Sequence, residues 1–159
     1  MQSFERETVV DAPLDRVWTF HSTVDGLRAL TPDWVALRIE EIDRPDPGAR
    51  NSDILTEGTE IHASVAPFWV LPRQHWVSVI ESREEWDDSC VFVDTMDAGP
   101  LSGWEHTHRF VAVGDRTRIV DHVEYEPPSN PVARVLVNHG LEPMFAYRHR
   151  RTRDILGQA

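Results

Sequence analysis

The chain contains no lysine: all sixteen of its basic residues are arginine. It has one cysteine, Cys90. That excludes an internal disulfide and any multi-cysteine metal site, and leaves Cys90 as a packed thiol within the alternating stretch SCVFVD. No apolar run approaches the length of a membrane span, so membrane insertion is not expected. The opening stretch MQSFERETVVDAP carries charges early and has no signal-type apolar core, so the expected location is cytoplasmic. There is no phosphate-cradling glycine loop, no GxSxG elbow and no HExxH helix. Cys90 has no activating neighbours, which argues against a cysteine nucleophile.

What is present fits an ordinary globular chain. Its 159 residues are 40% apolar and 27% charged, enough for one domain spanning 1–159 with a substantial core. The net charge of -11 argues against nucleic acid as a partner. An acidic, lysine-free composition suits a salty cytosol, and a GC-rich genome accounts for the arginine preference equally well. The composition does not decide between a monomer and a homodimer.

The periodicities predict an α+β order. Residues 4–11 alternate as a strand. Pro13 is placed to open a helix, with Asp11 as a candidate cap and Asp15 in the first turn. A second short helix fits Val24 to Leu30. Strand patterns follow at 34–42, 59–68, 73–82, 89–96, 103–113 and 117–125, separated by proline, glycine and acidic breaks that include Pro100 and the polar loop 44–53. Strands in succession without helices between them imply an antiparallel meander. Pro128-Ser129-Asn130-Pro131 then introduces a long helix over 131–156. Gly140 and Pro143 predict a bend or break in it between His139 and Pro143. A strongly curved sheet of about seven strands crossed by one helix leaves space on its concave face.

The chemistry concentrates in Trp104-Glu105-His106-Thr107-His108-Arg109-Phe110. On a strand, Trp104, His106, His108 and Phe110 share one face. If Gly114-Asp115 is a two-residue turn, Val113 pairs with Arg116. Counting outward, Phe110 meets Ile119, His108 meets Asp121, His106 meets Val123 and Trp104 meets Tyr125. A slip of one residue would turn Ile119, Val123 and Tyr125 to solvent, so this register is favoured. It places a His108–Asp121 pair in an apolar setting. Such a pair can act as an oriented general base, can position a bound ligand, or can simply fix the strand register. His106 and His108, with Asp94 or Asp121, have donor types that a metal accepts. A lone His-x-His is nevertheless a weak signal, and neither a metal nor any other cofactor is expected. Arg148, one helical turn after Phe145, is a candidate partner for Asp94 or for an anionic ligand, or a solvent-facing neighbour of Arg150, Arg151 and Arg153.

The ordered set of DAPLDRVWTF (11–20), FHS (20–22), LRALTP (27–32), GPLSGWEHTHRF (99–110), TRIVDHVEYEPP (117–128) and LEPMFAYRHRRT (141–152) resembles the SRPBCC superfamily. These are the START-like helix-grip proteins of the polyketide cyclase/dehydrase and ligand-binding kind. The resemblance covers nearly the whole chain and implies a helix-grip fold enclosing a ligand cavity. It also implies that Phe92, Asp94 and Met96 face inward, which strand parity alone leaves open. Met96 stands where related chains tend to carry glutamine, and Pro143 where they carry a good helix former.

The expected function is binding of a small hydrophobic or aromatic molecule as a carrier, sensor or sequestering protein. The alternatives are a cyclase, dehydratase or isomerase using His108 and Asp121, and a co-chaperone-like protein acting through its surface. The candidate ligand-binding residues are Trp76, Asp94, Met96, Trp104, His106, His108, Phe110, Asp121, Val123, Tyr125, Phe145 and Arg148.

Overall fold

The computed structural model describes residues 1–46, 48, 53–99 and 101–157. Part of the polar loop at 44–53 and the break at Pro100 lie outside the described residues. The elements are β1 (Gln2–Val10), α1 (Leu14–His21), α2 (Val24–Ala29), β2 (Arg38–Asp43), β3 (Glu60–Val65), β4 (Gln74–Glu85), β5 (Ser89–Ala98), β6 (Glu105–Val113), β7 (Arg116–Tyr125) and α3 (Pro131–Leu156). The seven strands form one antiparallel sheet in the order β1-β7-β6-β5-β4-β3-β2. The architecture is the expected α+β helix grip.

Register shifts interrupt β4 against β5 at Val77/Ser78 and at Ile80/Ser82, and β2 against β3 at Ile39/Glu41. Such bulges bend and twist the strands that carry them. The β6–β7 hairpin pairs Val113 with Arg116 across Gly114, whose φ of +63° favours glycine. His108 opposes Asp121, Phe110 opposes Ile119 and His106 opposes Val123, as the alternation predicts. The ladder ends at Glu105 opposite Glu124, and beyond it the Trp104 and Tyr125 rings lie 6.5 Å apart.

The helix α3 starts with Asn130, whose side chain accepts hydrogen bonds from the amides of Val132 and Ala133, followed by Pro131. Its buried residues are Leu141, Phe145, His149, Thr152 and Leu156. These recur at intervals of three and four and make one stripe against the sheet. Of the bend or break expected between His139 and Pro143, the break is absent, because α3 stays helical through Gly140 and Pro143. Leu141 and Phe145 are packed on either side of Pro143, and this tertiary anchoring outweighs the loss of one amide donor.

Several boundaries differ from the periodic reading. Asp11 does not cap α1; Pro13, in extended conformation, holds the cap position without a side-chain bond. The α2 helix ends at Ala29 and is capped by Thr23, which accepts from the Gly26 amide at 3.0 Å. A Cβ on Gly26 would come within 2.0 Å of the Phe20 carbonyl oxygen, so the α1–α2 corner requires glycine. Trp34 belongs to a 3₁₀ turn at Asp33–Val35, and β2 begins at Arg38 after Ala36 adopts a left-handed φ of 52°. Likewise β3 stops at Val65, and Pro67–Trp69 form a 3₁₀ turn in which Phe68 and Trp69 have φ of 57° and 63°. Among the described residues no α-helix lies within 59–125, and no helix is long and apolar enough to cross a membrane.

Candidate functional site

Three apolar clusters frame the concave face. At one end Trp18 packs on Phe92 and Phe110, with Cys90 buried beside them. Burial, with Glu85 adding to it, raises the Cys90 thiol pKa, as expected of a packed thiol. A second cluster joins α2 to β3 and β4 through Val24, Ile61 and Ile80. The third places Leu141 and Phe145 of α3 over Val123 and Tyr125 of β7. Between these clusters lies a cavity of about 400 Å³. Its walls are mostly apolar, with Leu27, Leu30, Trp34, Ile61, Trp76 and Trp104 among them. Pro67 and Leu136 also line it, and their neighbours Phe68, Trp69, Val132 and Val135 are exposed.

Of the sequence-derived candidates, Trp76, Asp94, Met96, Trp104, His106, His108, Phe145 and Arg148 line this cavity. Phe110, Asp121, Val123 and Tyr125 do not. Phe110 is fully covered by Trp18 and His21, and Val123 and Tyr125 by the α3 cluster, with the Tyr125 hydroxyl donating to Asn138 Oδ1 at 3.0 Å. Asp121 is 3% exposed and forms a buried support for three imidazoles.

That support makes one end of the cavity polar. Nε2–H of His106 donates to Asp121 Oδ1 at 2.8 Å, and Nε2–H of His149 donates to Asp121 Oδ2 at 2.6 Å. Asp94 reaches the same cluster from β5: its Oδ2 is 2.8 Å from His108 Nε2 and 3.5 Å from His106 Nδ1. The His108 Nδ1 atom is 3.0 Å from Asp121 Oδ1 but off the line that a hydrogen bond needs, so this contact is electrostatic. The expected His108–Asp121 pair is therefore part of a larger network, and the aligned bond of His108 goes to Asp94. The reason is register: Asp94 opposes His106 and stands diagonal to His108, within reach of both rings.

The electrostatics follow from burial and these contacts. Burial disfavours ionised Asp121, but the hydrogen bonds from His106 and His149 and the close contact of His108 outweigh it and hold its pKa well below the usual value. Burial likewise opposes charge on Asp94, and the bond from His108, the charges of both histidines and Arg148 bring its pKa below normal. For His108 burial acts against the cation, and the two carboxylates more than compensate, so its pKa is raised. Burial and the neighbouring His108 lower that of His106 despite its carboxylate partners. Arg148 lines the same wall with its guanidinium 5.8 Å from the Phe145 ring centre, and no ion pair joins it to Asp94 among the described residues.

The sequence reading missed His149 and His21. His149 lies one turn beyond Phe145 and completes the buried stripe of α3, a signal available from helical spacing. His21, at the end of α1, lines the cavity and packs its ring 4.9 Å from that of Phe110.

The fold has counterparts among solved structures. Protein CV1439 from Chromobacterium violaceum superposes with a TM-score of 0.69 at 11% identity, over 100% of both chains. The ZhuI aromatase/cyclase from Streptomyces sp. R1128 gives 0.66 at 14% identity, over 98% of this chain and 93% of that one. TTHA0849 from Thermus thermophilus gives 0.58 at 20% identity, over 95% and 97%. At these identities the likeness shows the fold alone. None of the curated proteins matches the sequence. Residues 10–146 match the family described as polyketide cyclase / dehydrase and lipid transport. With most of its length matched and the helix grip in place, the chain belongs to this SRPBCC-type family.

Proposed function

We propose that the protein binds a small amphipathic molecule, with its hydrophobic or aromatic body among the apolar walls and its polar end at Asp94, His106, His108 and Arg148. The observation that carries this reading is the cavity itself. Its volume of about 400 Å³ is in the range of small-molecule sites, and its polar groups converge at one end. The same arrangement favours a carrier, sensor or sequestering role over a co-chaperone-like role at the surface, because His108 faces open volume. The family description, which joins cyclase and dehydrase chemistry with lipid transport, is compatible with a bound hydrophobic molecule.

Native mass spectrometry of the purified protein tests the proposal by detecting a co-purifying small molecule. Trp34, Trp76 and Trp104 line the cavity, so an aromatic anionic probe such as anilinonaphthalene sulfonate should quench tryptophan emission with saturable, one-site behaviour. Absence of both a bound molecule and a saturable response would overturn the reading. Analysing the bound molecule after incubation separates carriage, which returns it unchanged, from turnover.

A further inference from the structure

The polar end of the cavity has an order that ligand orientation alone does not require. Asp94 Oδ2, His108 Nε2 and His106 Nδ1 converge, with the carboxylate oxygen 2.8 Å from one nitrogen and 3.5 Å from the other. All three ligand atoms lie within 4.8 Å of one another. Donors sharing one ion at ~2.1 Å must be roughly 3 Å apart, so little movement would bring these three onto a common centre.

The other side of the histidines is as informative. Nε2 of His106 and Nδ1 of His108 both face Asp121 Oδ1, at 2.8 and 3.0 Å. An ionised carboxylate only accepts, so it favours N–H on His106 Nε2 and a lone pair on His106 Nδ1, whereas His108 Nε2 holds the proton bonded to Asp94 and ligates once that proton leaves. His106 Nδ1 and His108 Nε2 are the nitrogens turned toward Asp94. A carboxylate holding the distal N–H of a histidine is the usual outer support of a metal-bound imidazole. Here one buried aspartate supports both rings, and His149 holds its second oxygen at 2.6 Å.

From this geometry we propose that Asp94, His106 and His108 form a three-ligand site for a divalent first-row transition ion at the polar end of the cavity, with Asp121 as the positioning residue behind both histidines. Two imidazoles and one carboxylate suit zinc or iron(II) better than magnesium or calcium, which prefer all-oxygen sets. All three ligands line the cavity, so the remaining coordination positions open toward it. The ion replaces the proton shared between His108 Nε2 and Asp94, and its two positive charges balance the two buried carboxylates. A second group, Asp43, Glu60 and His62, also brings donors together, but it includes exposed carboxylates and among the described residues has no supporting carboxylate behind its histidine; it serves as the control.

The test needs no organic ligand, so it succeeds or fails independently of the proposed cavity binding. Chelator-treated protein is titrated with Co²⁺, followed by visible absorption, and with Zn²⁺, followed by calorimetry. One equivalent per chain is expected, with cobalt bands of a nitrogen- and oxygen-ligated ion. Asp94→Asn, which keeps volume and hydrogen bonding, should weaken Zn²⁺ by on the order of 100-fold. Asp121→Asn should weaken it about 10- to 100-fold by loosening both imidazoles, and His62→Ala should change nothing. The wild-type cobalt titration decides the matter if a network variant fails to fold. No cobalt bound at millimolar concentration, or binding that survives Asp94→Asn and disappears with His62→Ala, would overturn the proposal.

Discussion

His149 of α3 donates its Nε2–H to Asp121 Oδ2 of β7 at 2.6 Å, with both side chains almost fully buried. This one bond joins the closing helix to the carboxylate on which the polar end of the cavity rests. Truncating His149 leaves a buried carboxylate oxygen unpaired and a void beside it. His149→Ala should therefore cost on the order of 1–3 kcal/mol for the lost partner, with the void adding to it. His149→Gln, which keeps a donor, should recover part of the loss. Thermal unfolding of the two variants checks this, and equal melting temperatures for wild type and His149→Ala would refute it.

Gly140 offers a different kind of test. It lies inside α3 and lines the cavity, and a Cβ there would meet nothing within 4 Å. Glycine in a helix interior costs about 0.5–1 kcal/mol relative to alanine. Gly140→Ala should raise the melting temperature and leave probe binding nearly unchanged. Gly140→Leu should project into the cavity and weaken the aromatic probe tenfold or more while the fold persists. Undiminished probe affinity in Gly140→Leu would place the binding site elsewhere.

The strands and the β6–β7 register were legible because side-chain alternation has a period of two and Gly114-Asp115 fixes the turn. That logic identifies which face a residue shares, but not how far along the face an open space extends. Phe110, Val123 and Tyr125 were on the right face, yet Trp18 and the α3 cluster cover them. His149 was hidden among Arg148, Arg150 and Arg151, which made the end of α3 look like a solvated face. The convergence of Asp94 on both histidines depends on the β5–β6 register, and no tight turn in the sequence specifies it. The left-handed Ala36 and Phe68, which shorten the strands expected at 34–42 and 59–68, leave no mark in residue type.

Charge gives a third expectation. A net charge of -11 without lysine implies self-repulsion among surface carboxylates. Added KCl shortens the screening length from about 10 Å at 0.1 M to about 3 Å at 1 M. The melting temperature should climb over that range. A flat or falling curve would favour genomic base composition as the source of the arginine preference.

The last expectation concerns acid. His21 Nδ1–H donates to the Val17 carbonyl at 2.9 Å, and the ring faces both Phe110 and the cavity. Burial lowers its pKa to about 3; the bond to Val17 and the charge of Asp121 act in the opposite direction, while Arg148 and His108 reinforce the lowering. The unfolded chain takes up this proton near pH 6.5, whereas the folded protein resists it down to about pH 3. The contribution of His21 to stability is therefore complete above pH 6.5 and declines as the pH falls below it. The slope is at most about 1.4 kcal/mol per pH unit. Replacing the ring by a non-titrating one, His21→Phe, removes this dependence and leaves the Asp94, His106, His108 and Asp121 network in place in both proteins. Melting curves of wild type and His21→Phe from pH 7.5 to 4.5 should thus diverge in acid, with the wild type losing more. Parallel curves would mean that water in the cavity reaches the His21 ring and that burial does not keep it neutral.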